Sequence, residues 1–257
     1  MLNSLAVRPV SILILEKQKK RQNLHSCYFA APKILILRNV HGVMMMRIVC
    51  LSDTHTQHDQ VSVPDGDVLL FSGDATGRGR PKELIAFNRW WSKLPHAHKL
   101  FTPGNHDVSL ETDFVVASSY LPDVQIMIDK SAVIDGIKFY LSPWTPTFLC
   151  WGFMKNRGAD IKLVWDKIPA DTDVLVTHGP PQGVLDLTPA GEYAGCEELR
   201  KVVVRIMPKY HIFGHIHCGY GVQKIQSVFT TTETVLANVS ICTEAYDPIN
   251  APFVFDL

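Results

Sequence analysis

Short, almost unbroken apolar runs alternate with polar clusters rich in Gly, Asp, Asn and His from residue 47 onward. Arg47 to Ser52 (RIVCLS) and Val68 to Ser72 (VLLFS) lack the alternation of a half-exposed strand. Such runs are expected of central strands buried on both faces. Lys99 to Thr102, Val174 to Thr177 and His211 to Phe213 repeat the pattern. Pro81 to Leu94 reads as an amphipathic helix: Pro81 suits a first turn, and Leu84, Phe87, Trp91 and Leu94 recur at helical spacing. Glu197 to Met207 reads as another helix. Ala132 to Ile134 and Ile137 to Leu141 flank Asp135-Gly136, a hairpin signal. Residues 143–160, rich in Trp, Pro and Gly, read as an irregular loop. The tail from Val222 is β-rich, with Leu236-Ala237-Asn238-Val239 and Phe253-Val254-Phe255. The pattern is that of a single α/β domain over residues 46–257.

Residues 1–45 hold seven Lys/Arg against one acid, Glu16, a net of +6. The chain as a whole is neutral, so the remaining body carries −6. The segment is expected to be a basic, poorly ordered N-terminal extension, and organelle targeting by it stays open. An acidic body suits a holder of divalent cations. The charge pattern gives no clear nucleic-acid-binding patch. The six cysteines form no C-x-x-C pair, which predicts reduced thiols and a cytoplasmic protein. No apolar run approaches the ~20 residues needed to span a bilayer.

The chemistry lies just past the strands. Five of them end in polar clusters: Asp53/His55, Asp74, Asn105/His106/Asp107, His178 and His215/His217. Open α/β sheets bind ligands beyond the carboxyl ends of their strands. In Gly214-His215-Ile216-His217 the two imidazoles stand two residues apart, and on an extended backbone they would point the same way. Carboxylate, imidazole and amide oxygen together suit Mn, Fe or Zn. The inventory exceeds what one ion needs, so it implies two divalent ions and one bridging carboxylate. Two ions about 3.5–4 Å apart can clamp an in-line displacement and make hydroxide available near neutral pH. Arg78, Arg80 and Arg157 are candidate substrate contacts, with solvated loop charges as the plainer reading.

The ordered set Asp53-x-His55, Gly73-Asp74, Gly104-Asn105-His106-Asp107, Thr177-His178-Gly179 and Gly214-His215-x-His217 resembles the calcineurin-like metallophosphoesterases. It is similar, more narrowly, to the small branch of metallophosphoesterase domain-containing proteins. The resemblance runs from about Met46 to the end. It implies an αββα sandwich of two mixed β-sheets flanked by helices. It implies that Asp53, His55 and His217 hold the first metal, that Asn105, His178 and His215 hold the second, and that Asp74 bridges. It implies further that His106 serves as general acid toward the leaving-group oxygen or as a hydrogen-bond donor to the phosphoryl oxygen, with Asp107 orienting it. The short stretch between Asp74 and Gly104 leaves no room for a cap domain and argues for an open site. The expected activity is a phosphodiesterase acting on small phosphodiesters such as cyclic nucleotides, by in-line attack of a metal-bridging hydroxide. A phosphomonoesterase or phosphoprotein phosphatase, and a metal-binding scaffold with little activity, are the alternatives.

Overall fold

The computed structural model describes residues 39–40, 43–227 and 230–257. Of the residues 1–45 expected to be a poorly ordered extension, 1–38, 41 and 42 lie outside the described residues. In chain order the elements are β1 (Asn39–Val40), β2 (Val43–Met44), β3 (Arg47–Leu51), β4 (Val68–Ser72), α1 (Pro81–Trp91), β5 (His98–Thr102), α2 (Ser109–Thr112), α3 (Phe114–Ser119), β6 (Gln125–Ile126), β7 (Lys130–Ile134) and β8 (Ile137–Ser142). There follow β9 (Thr145–Pro146), β10 (Met154–Lys155), α4 (Ala159–Trp165), β11 (Val174–Thr177), α5 (Glu197–Ile206), β12 (Tyr210–Phe213), β13 (Gly221–Gln226), β14 (Glu233–Asn238) and β15 (Phe253–Asp256).

Two large sheets carry the fold. One is five-stranded, in the order β15-β3-β4-β5-β6, with only β15 antiparallel. The other is six-stranded, β13-β14-β12-β11-β8-β7, with antiparallel strands at both edges. The unbroken apolar runs now have their reason. Ile48, Cys50, Val68, Leu70 and Leu100 face inward and pack with Phe139, Leu141, Val174, Val176 and Ile212 of the facing sheet. Their neighbours Val49, Leu51, Leu69, Phe71 and Phe101 face outward onto Leu84, Phe87, Trp90 and Trp91 of α1 and Leu110 of α2. On the other sheet Tyr140, Leu175, Phe213 and Leu236 face α4 and α5 through Ile161, Trp165, Leu199 and Val203. Strands covered on both faces have no polar face to show. The layers are therefore helix, sheet, sheet, helix, the αββα sandwich that the resemblance implied.

α1 ends three residues before the expected Leu94, and both of its tryptophans are buried. The stretch read as irregular ends differently. Ala159–Trp165 is a helix, entered from Gly158 at φ +81. Its Ile161, Val164 and Trp165 seat in the outer core. Among the described residues no helix is long and apolar enough to cross a membrane, and the five described cysteines are unpaired.

Parallel strands bring their carboxyl ends to one edge in each sheet. The two edges are joined: Ser52, just past β3, bridges Ser240, just past β14. Ser52 donates to the Val239 carbonyl at 3.1 Å and accepts from Ile241 at 2.9 Å. The polar clusters of both sheets thus meet along one seam.

His211 on β12 is fully buried. The Thr177 hydroxyl donates to the Gly179 carbonyl, so His211 Nε2–H donates to Thr177 Oγ1 at 2.8 Å. Nδ1, unprotonated in this tautomer, receives no hydrogen bond among the described residues, and burial pushes the pKa down to about 3. The folded ring stays neutral where the unfolded ring takes a proton, so its contribution is whole above pH 6.5 and is lost towards pH 3. Each pH unit below 6.5 should remove up to about 1.4 kcal/mol of unfolding free energy through this group. Denaturant titrations of wild type and His211→Gln between about pH 4 and 7 check this. The slope against pH should be shallower in the variant; equal slopes would contradict it.

Candidate metal centre

Asp53 and His55 follow β3 in a loop locked against the loop after β4. Asp53 N–H donates to Gly73 O at 2.9 Å, His55 N–H to Asp74 O at 3.1 Å and Thr56 N–H to Ala75 O at 3.0 Å. Asp53, His55, Asp74 and, across the seam, His215 stand at φ values of 53, 42, 57 and 71°. Left-handed backbone costs about 1–2 kcal/mol per non-glycine residue, and such strain concentrates at functional sites. Two glycines of the neighbouring loops are required by crowding. A Cβ on Gly104 would collide with Asp74 Oδ1, and one on Gly214 with Asp53 Oδ2.

Seven of the predicted residues meet at the seam. Asp53, His55 and His217 bring one donor atom each to within 4.8 Å of one another, as do Asp74, His178 and His215. Asp74 stands between the two groups: its Oδ2 lies 3.9 Å from His55 Nε2 and 3.4 Å from His178 Nε2. Asn105 Oδ1 is 2.8 Å from His178 Nε2.

The route to His215 and His217 differs from the expectation. The backbone is not extended there: Ile216 N–H closes onto Gly214 O at 2.8 Å, and His217 opens a 3-10 turn to Gly219. The two rings therefore part. His215 turns to His178, with ring centroids 4.9 Å apart, and His217 to His55, at 5.0 Å. Asn238 at the end of β14 fixes this turn by donating to Ile216 O at 2.7 Å. It also accepts from Ser240 Oγ at 2.8 Å, and that hydroxyl touches Asp53 Oδ2 at 3.0 Å. Neither residue was singled out from sequence, although Asn238, a polar residue ending an apolar strand, carried the same signal as the others.

The donors are arranged for cations. His178 Nδ1 donates to Ser72 O at 2.8 Å and His217 Nδ1 to Thr243 O at 2.9 Å. Carbonyls on the outer nitrogens leave Nε2 of each ring aimed at Asp74 or Asp53, the usual orientation of metal-binding imidazoles. Burial disfavours charge on both carboxyls, yet the facing imidazoles hold Asp53 and Asp74 well below the usual carboxylate range. Against the cost of burial, Asp74 raises His178 and Asp53 raises His217 to about 9. Burial and neighbouring imidazoles lower His55 to about 4 and His215 to about 3. Two buried carboxylates thus hold positive charge at the seam, as protons on His178 and His217 when no cation is bound. Imidazole, carboxylate and amide oxygen fit divalent Mn, Fe or Zn.

Residues 46–219 match the family model described as calcineurin-like phosphoesterase. The chain belongs to the calcineurin-like phosphoesterase family. The family's members are metal-dependent phosphoester hydrolases that use two ions. The chain is 37% identical over 236 residues to human metallophosphoesterase domain-containing protein 1, covering 82% of this chain and 71% of that protein. It is 37% identical over 228 residues to UPF0046 protein K07C11.7 of Caenorhabditis elegans, covering 83% and 76%. Its fold is similar to the crystal structure of TT1561 of Thermus thermophilus, with a TM-score of 0.51 at 11% identity over 82% of this chain and 99% of that one.

In this phosphoesterase Asp107 departs from the expectation. Its carboxylate does not orient His106. It accepts from the N–H groups of Asp74 at 3.0 Å, Gly104 at 2.9 Å and Thr76 at 3.0 Å, and from Thr76 Oγ1 at 2.7 Å. Buried beneath the loop that carries Asp74, it anchors that loop. Burial and the charge of Asp74 push its pKa up to about 6. The His106 ring is bonded through Nδ1 to the Gly77 carbonyl at 2.9 Å.

A cleft of about 530 Å³ opens onto Asp74, Asn105, His106, His215 and His217. Its outer wall is apolar and exposed, with Phe148, Leu149, Tyr193 and Tyr246. None of these was marked in the sequence, since they come from loops without a period. The arginines divide. Arg157 lines the cleft but is spent on the Ala194 and Gly195 carbonyls and on Glu197, at 2.9, 2.8 and 2.6 Å. Arg80 is exposed at the start of α1, outside the cleft lining. Arg78 lies over the Trp151 ring at 4.3 Å.

Proposed function

We propose that this protein is a metal-dependent phosphodiesterase acting on small phosphodiesters, with cyclic nucleotides as candidate substrates. The observation that carries the reading is Asp74, buried between two converging groups of donors at the floor of an open cleft. Asp53, His55 and His217 would hold one ion, and Asn105, His178 and His215 the other, with Asp74 shared. Mn, Fe or Zn would supply positive charge for the phosphoryl oxygens and a water acidified towards neutral pH. Asp53 and Asp74 are kept ionised for this by the facing imidazoles. His106 Nε2 is the ring nitrogen left for the substrate and would give a proton to the leaving-group oxygen.

The charge of the cleft supports diesters over monoesters. Glu192 and Glu244 line it, and the one Lys or Arg in its lining among the described residues, Arg157, is paired with Glu197. Beyond the charge that the two ions would supply, a monoester dianion therefore meets acidic side chains and, among the described residues, no unpaired Lys or Arg of the cleft lining. A diester carries one charge fewer and a second organic group, which suits the apolar wall of Phe148, Tyr193 and Tyr246.

The test is turnover by the full-length protein, stripped of metal and reloaded with Mn²⁺, of bis-p-nitrophenyl phosphate against p-nitrophenyl phosphate. kcat/KM should favour the diester by about tenfold or more, equivalent to about 1.4 kcal/mol in the transition state. A preference for the monoester would support a phosphomonoesterase. Two bound ions with no turnover of either would support a scaffold.

A further inference from the structure

Since Asp107 is turned away, something else must hold the His106 ring. A hydrogen bond at one nitrogen fixes a direction and leaves the ring free to swing about it. The second constraint comes from the loop before β10. Trp151 stacks its indole on the His106 ring, with centroids 4.1 Å apart and planes 27° from parallel. His55 meets the same imidazole edge-on at 4.6 Å and 80°. Ring pairs at these separations favour such offset-stacked and edge-to-face geometries.

Trp151 is itself held in place. Gly152 N–H donates to the Asn105 carbonyl at 3.0 Å, joining the loop to the segment that carries His106. Phe153 N–H donates to Glu111 Oε2 at 2.5 Å, and the Phe153 side chain is buried in the outer core at φ +52. Arg78 lies over the indole at 4.3 Å, a cation on an aromatic ring, and its own N–H is tied to Glu83 Oε2 at 2.9 Å. Trp151 is half-buried beside the cleft, in a position that filling the core does not demand.

We propose that Trp151 is a positioning residue that fixes the His106 imidazole for proton transfer to the leaving group. The inference rests on the role given above to His106. Trp151 stands outside both groups of donors around Asp74. Its effect on turnover passes through His106, and Trp151→Phe, which keeps a ring at that place, should restore much of it.

The experiment is a double-mutant cycle in the full-length, Mn²⁺-loaded protein, with bis-phenyl phosphate as substrate. A well-placed general acid contributes about 10²–10⁴-fold, so a loosened one should lose on the order of tenfold in kcat, with KM within about twofold. Trp151→Ala should show that loss in the wild-type background and no further loss in His106→Ala. Trp151→Phe should recover most of the rate. Full activity of Trp151→Ala, or an equal loss in both backgrounds, would overturn the proposal.

The metal-free protein supplies a readout independent of turnover. In wild type the His106 ring protons should be displaced upfield by the indole, and Trp151→Ala should return them to ordinary positions. Undisplaced resonances in wild type would overturn the stack itself. Absence of any wild-type phosphodiester turnover would instead sink the reading of the site, while displaced resonances would leave the stack standing.

Discussion

Asp74→Asn is expected to bind at most one ion tightly and to lose on the order of 10³-fold or more in phosphodiester turnover, since even outer partners of metal ligands are typically worth about 10–100-fold. Asp74 is 2% exposed and faces donors on both sides, with Oδ2 3.9 Å from His55 and 3.4 Å from His178. Asn keeps the shape and one oxygen but removes the charge that both groups share. Asp74→Ala goes further, because it also frees the His106 N–H that donates to Oδ1 at 2.8 Å. Asn is therefore the cleaner variant, and thermal unfolding of the metal-free proteins checks that both fold. Metal content by elemental analysis and turnover should fall together. Two ions retained at full occupancy with wild-type turnover would remove Asp74 from the centre.

The seven residues that meet at the seam were legible because each closely follows an apolar run, and parallel strands deliver such positions to one edge. The local reason given for His215 and His217 was nonetheless wrong. Rings two residues apart share a side only on an extended backbone, and His215 at φ +71 sends them to opposite groups. Chain direction after a strand depends on bonds made elsewhere, here from Asn238 to Ile216. Asp107 was misplaced for a similar reason: adjacency to His106 in sequence says nothing about which N–H groups a buried carboxylate will gather. α4 was missed because seven residues entered from a glycine show too little of the helical period. Trp151 and the apolar wall of the cleft come from loops, whose placement is set by single contacts such as Gly152 to Asn105. The fold was legible because burial on both faces of a strand leaves its mark on every residue of the run.

His106→Ala should separate chemistry from metal binding. His106 is half-buried and its Nδ1 is committed to Gly77. One of its ring nitrogens comes within 4.8 Å of donors on His55 and Asp74, but the proposed ligand set leaves it free for the substrate. The variant should retain both ions and the wild-type unfolding temperature. Its turnover should fall by about 10²–10⁴-fold where the leaving group needs a proton. That condition makes the prediction specific. Phenolate is a poor leaving group, since a phenol titrates near the tyrosine value of about 10. p-Nitrophenolate leaves more readily and gains less from an acid. The loss in His106→Ala should therefore be larger for bis-phenyl phosphate than for bis-p-nitrophenyl phosphate. An equal loss on both substrates would mean that His106 donates to a phosphoryl oxygen, whose charge grows whichever group departs. Wild-type rates on both would show that the proton comes from elsewhere, and the stack with Trp151 would then have no catalytic consequence.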